Sequence, residues 1–165
     1  MCIRDRPGSA QRTNVGHAQF LQDEERILQI GNHQVRIAGI ETGPSVKVEN
    51  RHRPHLSEEF TRDIPTLLLS HTSLVTAHIP EERHVVVFAG DTHGGQVYLP
   101  GLLWQVLKRK PDPKHMYGLF RYGNTHLYVT SGIGTTDLHF RFGVPPEIAV
   151  IRFVPESDAP AEEPS

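Results

Sequence analysis

The stretch "VVVFAGDTHGGQVYLPG" (residues 85–101) decides how the rest of the chain is read. Three valines and a phenylalanine, closed by Gly90, form an apolar run of the length expected for a buried strand. That run leads directly into Asp91, Thr92 and His93. Polar groups at the tip of a buried strand are costly unless they have partners, so Asp91 and His93 must be engaged by something. A second run, "LLLSH" (67–71), ends in the same way, on His71. In open α/β sheets, sites lie beyond the carboxyl ends of the strands. If these two strands are parallel neighbours, His71, Asp91 and His93 converge on one edge. Two imidazoles and a carboxylate suit a divalent transition metal such as Mn, Fe or Zn. Gly94 and Gly95 would let the backbone approach a phosphate with no Cβ in the way. Each residue also has a plainer reading. His71 can be a strand-end histidine bonded to backbone, and Asp91 and His93 can be turn residues. Two strand ends of the same kind shift the balance toward a site.

Outward from this stretch the chain reads as mixed α/β. "RILQIGNHQVRIAGIE" (26–41) has two β-branched runs around Gly31-Asn32, which predicts a hairpin. Residues 43–55 are polar and irregular. "LSEEFTRDI" (56–64) predicts a helix capped by Ser57. A short helix over 73–82 is cut off at Pro80. "GLLWQVLKRK" (101–110) is amphipathic and is expected to pack on the domain. "GLFRYG" (118–123) and "HLYVTSG" (126–132) predict an antiparallel pair joined at Gly123-Asn124, and "EIAVIRFV" (147–154) predicts a final strand. Strands alternating with helices, followed by a run of strands, fit a layered α/β domain over residues 17–154. Residues 1–16 lack periodicity and read as a non-native or disordered start. Residues 155–165 are rich in Pro, Ala, Glu and Ser, the composition of a disordered tail.

Bulk properties remove several classes of function. The chain has 165 residues and a net charge of −2, so no nucleic-acid partner is expected from charge. Its one cysteine, Cys2, excludes an internal disulfide and a cysteine-built zinc site. No apolar run approaches the length of a membrane span.

The motifs resemble a known family. "FAGDTHGGQVYLPG" is similar to the last motif of the calcineurin-like metallophosphoesterases, usually Gly-His-x-His, and the following Gly-Gly-Gln points to the bacterial phosphodiesterase-like branch. "LLLSH" resembles the preceding histidine motif. "SGIGTTDLHFRFGVPPEIAVIRF" (131–153) is similar to that branch's C-terminal signature, a Gly-x-Gly turn followed by Arg-Phe-Gly and Pro-Pro-Glu. The resemblance spans residues 20–153 and implies the C-terminal portion of a layered αββα sandwich with mixed sheets, here incomplete. It also implies two divalent metal ions (Mn, Fe, Zn or Mg) and in-line attack on a phosphoester by metal-activated hydroxide. By matching motif, His93 binds the first metal and His71 the second. Asp91 stands where the family has another second-metal histidine, a harder donor that favours Mn or Mg over Zn. Gly94, Gly95, Gln96 and Arg141 are candidate substrate contacts. An arginine placed like Arg141, between Phe140 and Phe142, is more often a solvent-facing residue of an alternating strand.

The same resemblance leaves motifs unmatched. No Asp-x-His lies upstream of His71. Gly31-Asn32-His33 sits inside the predicted hairpin, so His33 reads as a surface residue rather than a substrate contact. The chain is therefore expected to be the C-terminal fragment of a longer phosphoesterase acting on a phosphodiester or lipid-linked phosphate bond, and to be inactive by itself. Catalytic residues are accordingly expected outside it. The longer protein would be cytoplasmic or membrane-associated in a bacterium. The competing reading is a binding or scaffold module that kept the fold and lost the chemistry, with Asp91 in a histidine's place as its support.

Overall fold

The computed structural model describes residues 19, 21, 23–40, 64–97, 115–135 and 139–153. Six strands form one mixed sheet in the order β1-β2-β3-β4-β6-β5. They are β1 (Glu24–Ile30), β2 (His33–Ile40), β3 (Thr66–Ser70), β4 (Val85–Ala89), β5 (Gly118–Tyr122) and β6 (Thr125–Val129). The central strands β2, β3, β4 and β6 are mutually parallel, and β1 and β5 close the edges antiparallel. The expected mixed α/β sheet of an incomplete sandwich is what the described residues form.

Strand alternation explains the core. On one face Ala38 stands beside Leu68, Leu68 beside Val87, Val87 beside Leu127, and Leu127 beside Phe120. Leu68, Val87 and Leu127 are fully buried there. Ile40, Val85, Ala89 and Val129 complete the same face. Because successive side chains alternate, a one-residue slip in any strand would turn this row outward, which pins the register. The edge strand β1 is exposed along its whole length, as an edge with one neighbour allows.

Both predicted hairpins are present. Gly31, at φ +59°, turns β1 into β2, and His33 is exposed at the start of β2. Gly123, at φ +55°, turns β5 into β6. Two expectations are corrected. The helix predicted over 73–82 is a six-residue 3-10 helix, Ser73–His78, capped by the Thr72 side chain, which accepts from the Leu74 amide. Its Val75 seals the core face, and a longer helix is cut short by Pro80. The strand predicted over 147–154 is absent from its described part, residues 147–153. Alternating Ile, Val and Phe make a strand only if a neighbour supplies the ladder. Here Glu147 is drawn to the end of β6, and Ile148 and Val150 are left 80% and 92% exposed. The expected helix over 56–64, save Ile64, and the amphipathic segment 101–110 lie outside the described residues, as do 1–16 and the tail. Among the described residues no helix is long and apolar enough to cross a membrane.

Candidate metal centre

Parallel pairing of β3 with β4 brings two strand ends together. Beyond the ladder, the His71 carbonyl accepts from the amides of Gly90 (3.2 Å) and Asp91 (2.9 Å), so the two loops leave the sheet joined. The His71 Nε2 and Asp91 Oδ1 lie 2.8 Å apart. The hydrogen bond from His71 holds the Asp91 carboxyl below its ordinary value; partial burial opposes this, and the electrostatic influence of the neighbouring imidazoles reinforces it. Both side chains keep about half of their surface in water, at 43% and 53% exposed.

His93 is different. It is buried, 3% exposed, and begins a 3-10 turn (His93–Gly95) at φ +50°, a left-handed conformation uncommon outside glycine. Strained backbone of this kind persists only where its surroundings over-determine it. The Thr92 hydroxyl donates to the Met116 carbonyl at 2.6 Å, and the Gln96 amide donates back to the His93 carbonyl at 3.0 Å. The His93 Nδ1 lies 3.2 Å from the Gly134 carbonyl oxygen. A carbonyl can only accept, so Nδ1 carries the proton, and in the neutral ring Nε2 is the lone-pair nitrogen. This is the usual arrangement of a metal-binding imidazole.

His71 and His93 share a cavity of about 250 Å³. Gly90 and Thr130, at the ends of β4 and β6, help to line it, with Gly132, Ile133 and Gly134 from the next loop. The expected convergence of two strand ends is therefore present for the two histidines, while Asp91 meets the cavity through His71. Among the described residues no three His, Cys, Asp or Glu side chains stand close enough together to hold a metal ion.

The candidate substrate residues have structural occupations. A Cβ on Gly94 would lie 2.8 Å from a Val144 methyl and 3.0 Å from the Ser131 Cβ, so the chain's own side chains fill that space. Met116 stands beside Gly95 in the same way. Gln96 is buried and its side-chain amide donates to the Phe140 carbonyl at 3.1 Å. Arg141 is half-buried rather than solvent-facing, and its guanidinium donates to the carbonyls of Ser131 (2.6 Å), Gly132 (3.0 Å), Gly134 (3.1 Å from Nε) and His93 (3.4 Å). Sequence reasoning missed the partner of this brace, Glu147. Its carboxylate accepts from Tyr128 (2.5 Å), Thr130 (2.7 Å), Tyr117 (3.3 Å) and the Ser131 amide (3.1 Å). The signal lay in the Arg-Phe-Gly and Pro-Pro-Glu pair, which identifies both residues without saying what they touch.

No protein-family profile and no solved structure matches the chain. Curated relatives do. An uncharacterized metallophosphoesterase of Helicobacter pylori is 28% identical over 79% of this chain and 36% of its own length. The phosphodiesterase YaeI of Escherichia coli is 31% identical over 49% of the chain and 32% of its own. The UDP-2,3-diacylglucosamine pyrophosphatase LpxG of Chlamydia trachomatis is 31% identical over 57% and 30%. The chain is thus similar, at low identity, to proteins of the metallophosphoesterase superfamily. The chain spans a little over a third of the length of the Helicobacter pylori relatives.

Proposed function

We propose that this chain forms one wall of the metal centre of a phosphoesterase, with His71, Asp91 and His93 as its metal donors. The observation that carries the reading is the meeting of two parallel strand ends at one cavity, with an imidazole from each and a carboxylate 2.8 Å from the first. The residue types suit a divalent ion: His93 has Nε2 as its basic nitrogen, while His71 Nε2 and Asp91 Oδ1, bonded to each other at 2.8 Å, would have to part to offer nitrogen and oxygen ligands. Three donors are too few for two ions, so a dinuclear site draws its remaining ligands, the bridging carboxylate among them, from outside this set. When bound, such ions supply Lewis acidity and charge neutralisation at a phosphoryl group.

This chain's own residues hold donors in place and shape the cavity. The His71 carbonyl fixes the spacing of the two strand ends, and the Gly134 carbonyl holds the proton of His93 on Nδ1. Phe88 and Ile133 give the cavity apolar lining. The names of the relatives support a phosphodiester or a lipid-linked pyrophosphate as the substrate class.

Two measurements test the reading. Calorimetric titration of the 165-residue chain with Mn²⁺ or Zn²⁺ should show binding that His71→Ala and His93→Ala each weaken; binding indifferent to both would sink it. The chain by itself is expected to give no metal-dependent turnover of an aryl phosphodiester, and turnover would contradict the donor count.

A further inference from the structure

We propose that Arg141 and Glu147 are positioning residues for His93, acting together through the loop of residues 131–134. Two independent sets of hydrogen bonds meet on this loop. From one side Glu147 grips its root, taking the Thr130 hydroxyl and the Ser131 amide, while the Glu147 amide donates to the Gly132 carbonyl at 2.9 Å. From the other side Arg141 forks across the carbonyls of Ser131, Gly132 and Gly134. The Gly134 carbonyl is the same oxygen that receives the His93 Nδ1 proton. Arg141 also reaches the carbonyl of His93 itself. The loop carries Gly132, at φ +60°, so little in its own backbone holds it rigid. A planar guanidinium with donors in a fixed fork can satisfy several carbonyls at set angles, and a lysine ammonium cannot reproduce that geometry. The outcome is one oxygen, held still, that selects the ring tautomer of a buried histidine. The Tyr128 and Tyr117 hydroxyls complete the Glu147 shell, which keeps that carboxylate ionised and immobile.

The metal half of this inference rests on the function proposed above; the tautomer half does not. The test therefore reads the tautomer first. In ¹⁵N-labelled chain without metal, long-range proton–nitrogen correlation assigns the ring protons, with His93→Gln identifying the His93 signals. The wild type should carry its His93 proton on Nδ1. Arg141→Lys and Glu147→Gln should each introduce an Nε2-protonated population while circular dichroism stays that of a folded chain. Mn²⁺ affinity should fall about 10- to 100-fold in the same variants. A folded variant whose His93 stays wholly Nδ1-protonated overturns the proposal, as does a wild-type ring protonated on Nε2. If both variants fail to fold, Thr130→Val, which deletes one Glu147 contact, is read by the same two criteria. A tautomer shift with no metal binding in any form keeps the positioning role and rejects the metal reading alone.

Discussion

Glu147 shows how one carboxylate can set the chemistry of its neighbours. Burial alone would raise its pKa, but hydrogen bonds from Tyr128, Thr130, the Ser131 amide and Tyr117 outweigh that and hold it below its ordinary value. The reciprocal effect falls on Tyr128, whose phenol is pushed up to about 12 by its bond to Glu147, with burial adding to it. Glu147→Gln should bring the Tyr128 ionisation back toward 10, read as tyrosinate absorbance against pH. A raised phenol pKa stabilises the fold below the unfolded value and loses that contribution as pH rises through the folded value. The stabilisation from the Tyr128–Glu147 bond should therefore be full below about pH 10 and be lost as pH rises toward about 12. The carboxylates act in the opposite sense. Asp91 and Glu147 are both depressed, so their contribution is present above their ordinary values of 3.8 and 4.5 and is lost as pH falls through the folded ones. In acid denaturation, the stability gap between wild type and Asp91→Asn, or wild type and Glu147→Gln, should close below about pH 4.

At the scale of the element, two glycines with similar backbone angles should behave differently. Gly31 turns the β1–β2 hairpin at φ +59° with nothing near its missing Cβ. Gly31→Ala pays only conformational strain, about 1–2 kcal/mol. Gly94, at φ +64°, adds the clash with Val144 and Ser131 to the same strain. Gly94→Ala should cost roughly 2–4 kcal/mol in urea denaturation and should also disturb the His93 tautomer, since Ser131 roots the loop that holds it. Equal costs at the two positions would mean that the turn after β4 is looser than its contacts imply. In the sheet itself, Leu68→Ala opens the middle of the buried row shared with Val87 and Leu127. Its expected cost is about 2–5 kcal/mol, with no change at the cavity.

Across the whole molecule, the four parallel strands end on one edge, and every proposed donor lies there. The apolar runs of β3 and β4, the Gly31-Asn32 and Gly123-Asn124 turns, and the two histidines at strand ends were all legible because each is local. Alternation and turn chemistry act over a few residues, and a polar residue at the end of a buried run announces a need for partners. The failures came where a distant neighbour decides the outcome. Residues 147–153 have a strand's alternation, yet their first residue is captured by the end of β6. Arg141 looks like a solvent-facing residue between two phenylalanines, yet four carbonyls from two loops converge on it. The sequence by itself therefore determined the strands of the central sheet, where the two hairpins turn, and which residue types stand at the strand ends, though not that residues 147–153 stay out of the sheet. Only the tertiary structure decided that His71 meets Asp91, that Gly134 selects the protonated nitrogen of His93, and that Glu147 and Arg141 hold the loop between them. The physical reason is range: backbone conformation and hydrophobic period are properties of neighbouring residues, whereas a hydrogen bond across some tens of residues exists only once the sheet has brought its ends together.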